Sequence, residues 1–232
     1  MPIDLHLAMT GAEIETCNRL PPHIGWMACH FSLSGPGLSN LPKKLPQHAI
    51  LILDDSIPFA DHQPEIITQQ LQETIHTLQV EAVILDFQRG KHTATQNLAY
   101  RLQSELPCPV AAPPEYSNGQ SPVFLPPCPP NRLLKDHLMS FWDREIWLEI
   151  ALDCMQISIT EKGSHCEFLS PENTEALYHQ DQKLHCHYRI SQTSDTVAFT
   201  LHRTWDDLQE LLGEADHLGV NHAIGLWQEL KK

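Results

Sequence analysis

The chain has 232 residues, 41% of them hydrophobic, enough for one substantial core, and one domain spanning residues 1–232 is expected. Lys and Arg total 15 against 29 Asp and Glu, a formal charge of −14. With no local basic patch, that balance argues against a nucleic-acid partner. No apolar stretch approaches the roughly 18 residues that span a bilayer, and Met1-Pro2-Ile3-Asp4-Leu5-His6 lacks the features of a signal peptide, so a cytoplasmic protein with no membrane partner is expected.

Eight short apolar runs rich in Val, Ile, Leu or Trp follow one another along the chain: Ile3–Met9, Gly25–Phe31, Ala49–Leu53, Ala82–Phe87, Pro109–Ala112, Pro122–Leu125, Ile146–Leu152 and Ala223–Trp227. Several are almost continuously apolar, the pattern of parallel strands covered on both faces. Helical spacing appears between them. Ile67, Leu71, Ile75 and Leu78 predict a helix begun near Pro64. Ala94, Leu98 and Leu102 predict a second that ends before Pro107, and Leu134, Leu138 and Phe141 a third. Thr204 and Asp207 resemble a capping box opening a fourth, whose apolar face is Leu208, Leu211, Ala215 and Leu218, ending near Gly219.

Alternating strands and helices with right-handed crossovers imply an α/β fold with a parallel sheet. Eight strands point to closure as a (β/α)8 TIM-type barrel, with an open doubly wound sheet as the alternative. The first two connections read as irregular, with Gly35-Pro36-Gly37 and Pro42 in place of a clean helix. From Met155 to Arg203 the pattern changes: Gln156–Thr160, Leu184–Ile190 and Val197–His202 read as antiparallel strands, a β-rich insertion after the seventh barrel strand.

Seven cysteines without a CxxC pair do not form a disulfide framework, and reduced thiols are expected. His185-Cys186-His187 is the densest metal-ligand cluster, but in a strand the histidines point opposite to the cysteine, so no metal is assigned. The same alternation argues against a Cys29-His30 catalytic pair. With no P-loop, GxGxxG or HExxH, no cofactor is expected.

Working residues in a parallel barrel sit at the carboxyl ends of the strands. Read there, the runs yield His30 and Ser32, Asp54 and Asp55, Asp86 and Gln88, Glu115 and Tyr116, Glu149 and Asp153, then Trp227, Gln228 and Glu229. Carboxylates beside aromatic rings suit a sugar, whose hydroxyls need acceptors and whose apolar face stacks on Trp or Tyr. Plainer roles fit some of them: Asp54-Asp55 as a turn or helix cap, Trp227 as core. Asp86 interrupts an apolar strand at its end, where a carboxylate requires a partner.

The segment Glu81-Ala82-Val83-Ile84-Leu85-Asp86-Phe87-Gln88 resembles the fourth-strand signature Asp-Gly-x-Asp-x-Asp-x-Glu of family 18 glycoside hydrolases, matching strictly at Asp86. Leu218 to Trp227 resembles the family's eighth strand, whose Trp floors the sugar site, and Thr204 to Leu212 the helix leading into it. The resemblance is greatest to small bacterial members acting on N-acetylglucosamine polymers. It implies that Asp86 orients the acetamido nucleophile and that position 88 holds the proton donor; this substrate-assisted route is an exception to two-carboxylate chemistry. Gln88 cannot protonate a leaving group, and Ile84 stands where the family has its middle aspartate.

The reading this supports is a carbohydrate-binding or catalytically impaired relative, with His30, Asp54, Asp86, Gln88, Tyr116 and Trp227 as ligand-binding candidates. Two alternatives stay open. One is an active hydrolase on an N-acetylglucosamine-type or unusual sugar, using Glu115, Glu149 or Glu229 as the acid. The other is a protein-interaction module whose surface is the 155–203 insertion. A carboxyl group across a pocket from Asp86 would favour the active hydrolase.

Overall fold

The computed structural model describes residues 3–60, 62–169 and 178–231. The eight runs become β1 (Asp4–Met9), β2 (Ile24–Phe31), β4 (Ile50–Asp54), β5 (Ala82–Asp86), β6 (Val110–Ala111), β7 (Val123–Leu125), β8 (Ile146–Ile150) and β14 (His222–Leu226), with a two-residue β3 (Leu38–Ser39) folded against β2. Neighbouring barrel strands pair in parallel in the order β6-β5-β4-β2-β1-β14-β8-β7. The two ends meet through a parallel Ala112–Val123 bridge, where Phe124 N donates to Ala112 O at 2.8 Å. The fold is the (β/α)8-type barrel, and the open sheet is excluded by that closure.

Around it lie α1 (Gly11–Thr16), α2 (Pro64–Leu78), α3 (Thr93–Glu105), α4 (Leu134–Leu138), α5 (Trp205–His217) and α6 (Trp227–Leu230). In α2, Ile67, Thr68, Leu71 and Ile75 are the buried face, and Pro64 occupies the first turn, where a missing N–H costs no intrahelical bond. The Thr204–Asp207 capping box forms as its spacing predicts. One element is shorter than the apolar pattern suggests: α4 ends at Leu138 and continues as a 3-10 turn, Met139–Phe141. The first connection, read as irregular, holds α1, begun by a reciprocal Thr10–Glu13 capping box.

Alternation in the strands divides the apolar residues into two shells. Inward-facing Ala8, Ile50, Ile52, Ala82, Ile84, Ala111, Phe124, Trp147 and Ile224 fill the barrel. Outward-facing residues such as Leu51, Leu53, Val83, Leu85, Leu148 and Ile150 pack under the helices. The amino end of the barrel is closed differently. His6, 2% exposed, lies with Nε2 3.3 Å from Nδ1 of His222, its ring stacked over Trp147 and edge-on to His23.

Burial, then the neighbouring His222 and His23, push the His6 imidazole down to about 4. A neutral His6 therefore favours the fold fully above pH 6.5, and that contribution is lost as pH falls from 6.5 towards 4. Integrated over that window it is about 3 kcal/mol. Chemical denaturation at pH 7 and pH 4.5 is expected to give a steep loss in the natural chain and a shallower one in His6→Asn. Equal slopes would show that another group drives the acid transition.

The insertion is a separate five-stranded antiparallel sheet made of β9 (Cys154–Thr160), β10 (Gly163–Leu169), β11 (His179–Asp181), β12 (Cys186–Gln192) and β13 (Thr196–His202), ordered β10-β9-β13-β12-β11. Three of these strands match the expected stretches. β10 and β11 are too polar and exposed to read as strands from hydropathy, and exist by pairing with β9 and β12. His185 precedes β12 with φ 47° and bonds Glu214 at 2.6 Å. Within β12, Cys186 is buried and His187 meets Asp207 at 2.8 Å. Two residues of the His185-Cys186-His187 cluster are thus held by carboxylates.

Candidate functional site

A cavity of about 440 Å³ opens at the carboxyl ends of the barrel strands, a volume within the usual range for small-molecule sites. Its floor is the top of the inward-facing apolar layer: Ala8, Met27, Ile52, Phe124, Ile224 and Leu226. Its walls carry Asp54, Asp55, Asp86, Gln88 and Glu149, with Arg89 and Ser56 beside them. The parity of the strands explains the arrangement. Asp54 continues the inward series Ile50, Ile52; Asp86 continues Ala82, Ile84; Glu149 follows Trp147.

Asp86 and Asp54 are register partners on the adjacent strands β5 and β4. Glu149 is on β8, three strands round from β5 by way of β6 and β7, so it enters the cavity from another wall. Burial raises the Glu149 carboxyl to about 7, and the charges of Asp86, Asp153 and Glu229 add to the shift. Half of it is therefore protonated near neutrality. Asp86 is also raised, first by burial, against which the Gln88 bond acts. That bond runs from Gln88 Nε2 to Asp86 Oδ1 at 3.0 Å. Position 88 thus donates a hydrogen bond to Asp86 without offering an ionisable proton.

Asp55 fixes the loops rather than capping a helix. Its Oδ1 accepts from Gln88 N at 2.9 Å and its Oδ2 from Arg89 N at 3.0 Å. Arg89 returns the contact, donating Nε to Asp55 O at 2.7 Å and Nη2 to Ser56 O at 2.6 Å. These bonds clamp the loop after β4 to the loop after β5 and hold Gln88 beside Asp86. Asp54 accepts from Ser56 N at 2.8 Å, a local turn. The helix that follows is capped by Gln63, without a side-chain bond.

The remaining candidates lie elsewhere. His30 sits outside the cavity lining, with Nδ1 2.8 Å from Phe31 O and Nε2 3.0 Å from Asn40 Nδ2. Tyr116 is 1% exposed and donates its hydroxyl to Arg89 O at 2.8 Å, supporting the clamp from behind. Glu115 is exposed on the 3-10 turn Pro114–Tyr116. Glu229 is exposed on α6 and reaches the site through its charge on Glu149.

Trp227, expected at the end of the eighth strand, is instead the first residue of α6 and half-buried. The strand ends one residue earlier because α6 folds back: Leu230 packs where a Cβ at Gly225 would sit. Leu226 takes the lining position. Sequence reasoning missed Arg89, Met27 and Phe124 as lining. Phe124 and Met27 read as core, which they partly are, and nothing in the sequence marks Arg89 as the partner of Asp55. Among the described residues, no three His, Cys, Asp or Glu side chains converge as metal ligands.

No family model matches the sequence, and no curated protein matches it. Similarity lies in three dimensions. The chain superposes on the spore cortex-lytic enzyme SleL of Bacillus cereus with a TM-score of 0.57 and 8% identity, over 97% of this chain and 70% of that one. The shared feature is the barrel fold. A chitinase of Chromobacterium violaceum gives a TM-score of 0.57 at 8% identity, over 96% of this chain and 93% of that one. The chitinase-like agglutinin of Robinia pseudoacacia gives 0.56 at 8% identity, with 95% and 93% covered. At these identities the likeness is one of fold. No helix among the described residues is long and apolar enough to cross a membrane.

Proposed function

We propose that the chain is a cytoplasmic glycoside hydrolase acting on an N-acetylglucosamine-type or related sugar, with Glu149 as proton donor and Asp86 as its ionised partner. The observation that carries this reading is the entry of Glu149 into the same cavity as Asp86 from a different wall. A glycosidic bond needs a proton delivered to the leaving oxygen and a carboxylate to stabilise the positive charge that develops on the sugar. Glu149, raised to about 7, holds a transferable proton under conditions where an ordinary glutamate has lost it.

The Gln88 amide favours the ionised state of Asp86 by hydrogen bonding. The apolar floor excludes water beneath both groups and strengthens their interaction with a developing charge. The roles differ from those implied by the resemblance to family 18, because the acid moves from position 88 to position 149. A second reading, sugar binding without hydrolysis, is favoured by one observation: the residue bonded to Asp86 is an amide that cannot donate a proton to a substrate.

The two are separated by turnover of N-acetylglucosamine oligomers, whose sugar leaving group must be protonated to depart, by the natural chain and by Glu149→Gln. Hydrolysis by the natural chain that is lost in the variant supports the first reading. Ligand-induced thermal stabilisation without turnover in either protein supports the second.

A further inference from the structure

We infer that β10 is a self-association strand, pairing antiparallel with β10 of a second copy of this chain about a twofold axis through Cys166. The inference is independent of the sugar site and rests on the insertion sheet. β10 is the outer strand of that sheet. All seven of its residues, Gly163 to Leu169, are exposed, and its register with β9 runs unbroken from Gly163↔Thr160 to Leu169↔Cys154.

An edge of this length presents a row of unpaired N–H and C=O groups. Monomeric proteins blunt such edges with proline, charged side chains and lysine above all, a bulge or a covering element. The sequence of β10, Gly-Ser-His-Cys-Glu-Phe-Leu, has neither Pro nor Lys and a single charged residue, Glu167; its pairing has no bulge, and among the described residues no element covers it.

Self-pairing is favoured over another partner by the order of its side chains. Residues paired across antiparallel strands point to the same face. A twofold at Cys166 sets His165 opposite Glu167 of the second copy, and Glu167 opposite its His165. Within one chain His165 Nε2 lies 4.0 Å from Glu167 Oε2, and at 75% and 48% exposure both side chains can also be reached by a second copy. The same axis brings the two Cys166 side chains together on the other face, which this strand shares with Ile157 and Ile159 of β9 and Phe199 of β13.

That face is apolar and only partly covered, with Phe168 63%, Ile159 46% and Ile190 56% exposed. Joining two sheets edge to edge continues the apolar surface across the axis. The only formal charge carried on β10 is that of Glu167, and the pairing places it opposite a histidine. Two chains that each carry −14 can therefore meet here with little local repulsion.

The test is the oligomeric state of the full chain under reducing conditions, measured by sedimentation equilibrium from about 1 to 200 μM. A dimer is expected. His165→Glu faces Glu with Glu twice across the axis and is expected to raise the dimer dissociation constant about tenfold or more, given typical cross-strand charge effects. The double variant His165→Glu with Glu167→Lys restores opposite charges and is expected to recover dimerisation. A short bis-maleimide is expected to link the natural dimer through Cys166 and to fail with Cys166→Ser. A monomer throughout the range would overturn the proposal. So would a dimer indifferent to both charge variants, or one whose cross-link survives Cys166→Ser.

Discussion

Replacing Glu149 by Gln is expected to lower kcat/KM for an N-acetylglucosamine oligomer, whose sugar leaving group must be protonated to depart, by about 10²–10⁴-fold, the usual contribution of a positioned proton donor. The substitution keeps the shape of the side chain and most of its hydrogen-bonding capacity, so the loss falls on proton transfer. Thermal stability is expected to hold or rise, because Glu149 is a partly buried carboxyl whose ionisation is opposed first by desolvation and then by Asp86, Asp153 and Glu229. Ligand-induced stabilisation is expected to persist. A variant that retains activity would transfer the acid role to another carboxyl group. A variant that loses both activity and ligand binding would make Glu149 a binding group instead.

Arg203→Leu is expected to destabilise the chain by about 3–5 kcal/mol, the range for leaving partners of a buried charged group unsatisfied. Arg203 is 4% exposed and joins the insertion to the barrel. Its Nε donates to His185 O at 3.1 Å and its Nη2 to Leu184 O and Pro129 O at 3.4 Å each, while Nη1 bonds Cys128 O. The guanidinium fork reaches two segments at once, the turn before β12 and the proline-rich loop after β7. A leucine fills part of the volume and satisfies none of the carbonyls. For a chain of this size the expected fall in Tm is roughly 6–20 °C, measured by calorimetry, with Arg203→Lys recovering part of it. A fall of less than about 2 °C would mean that water replaces the guanidinium at those carbonyls.

Much of the barrel is legible in the sequence because each inner strand is buried on both faces. Runs such as Ile50–Leu53 and Ala82–Leu85 have no polar residue to hide them, and α2 and α5 carry clean apolar faces with recognisable starts. The insertion is half legible for the opposite reason. β9, β12 and β13 have an apolar face, whereas β10 is exposed along its whole length and is a strand only because β9 pairs with it.

For the site, the rule that barrel chemistry gathers at strand ends brings out Asp54, Asp86 and Glu149, all of which line the cavity. What separates them from His30, Tyr116, Glu115 and Glu229 is strand parity and loop path, set by long-range packing. Trp227 illustrates the limit. A one-residue difference in where β14 ends, fixed by Leu230 packing against Gly225, moves the indole from a strand end to a helix start. The Asp55–Arg89 clamp joins residues 34 apart in sequence and has no local signal at all.

Proton delivery by Glu149 is tested most directly by the pH dependence of kcat/KM on an N-acetylglucosamine oligomer, whose sugar leaving group must be protonated. Glu149 donates only while protonated, and its carboxyl is raised to about 7. The rate is therefore expected to be highest on the acid side of neutrality and to fall about tenfold per pH unit once pH rises beyond 7. The limb belongs to Glu149 and is expected to be missing from the residual activity of Glu149→Gln. A profile that stays flat to pH 9, or an alkaline limb that survives in Glu149→Gln, would contradict the assignment.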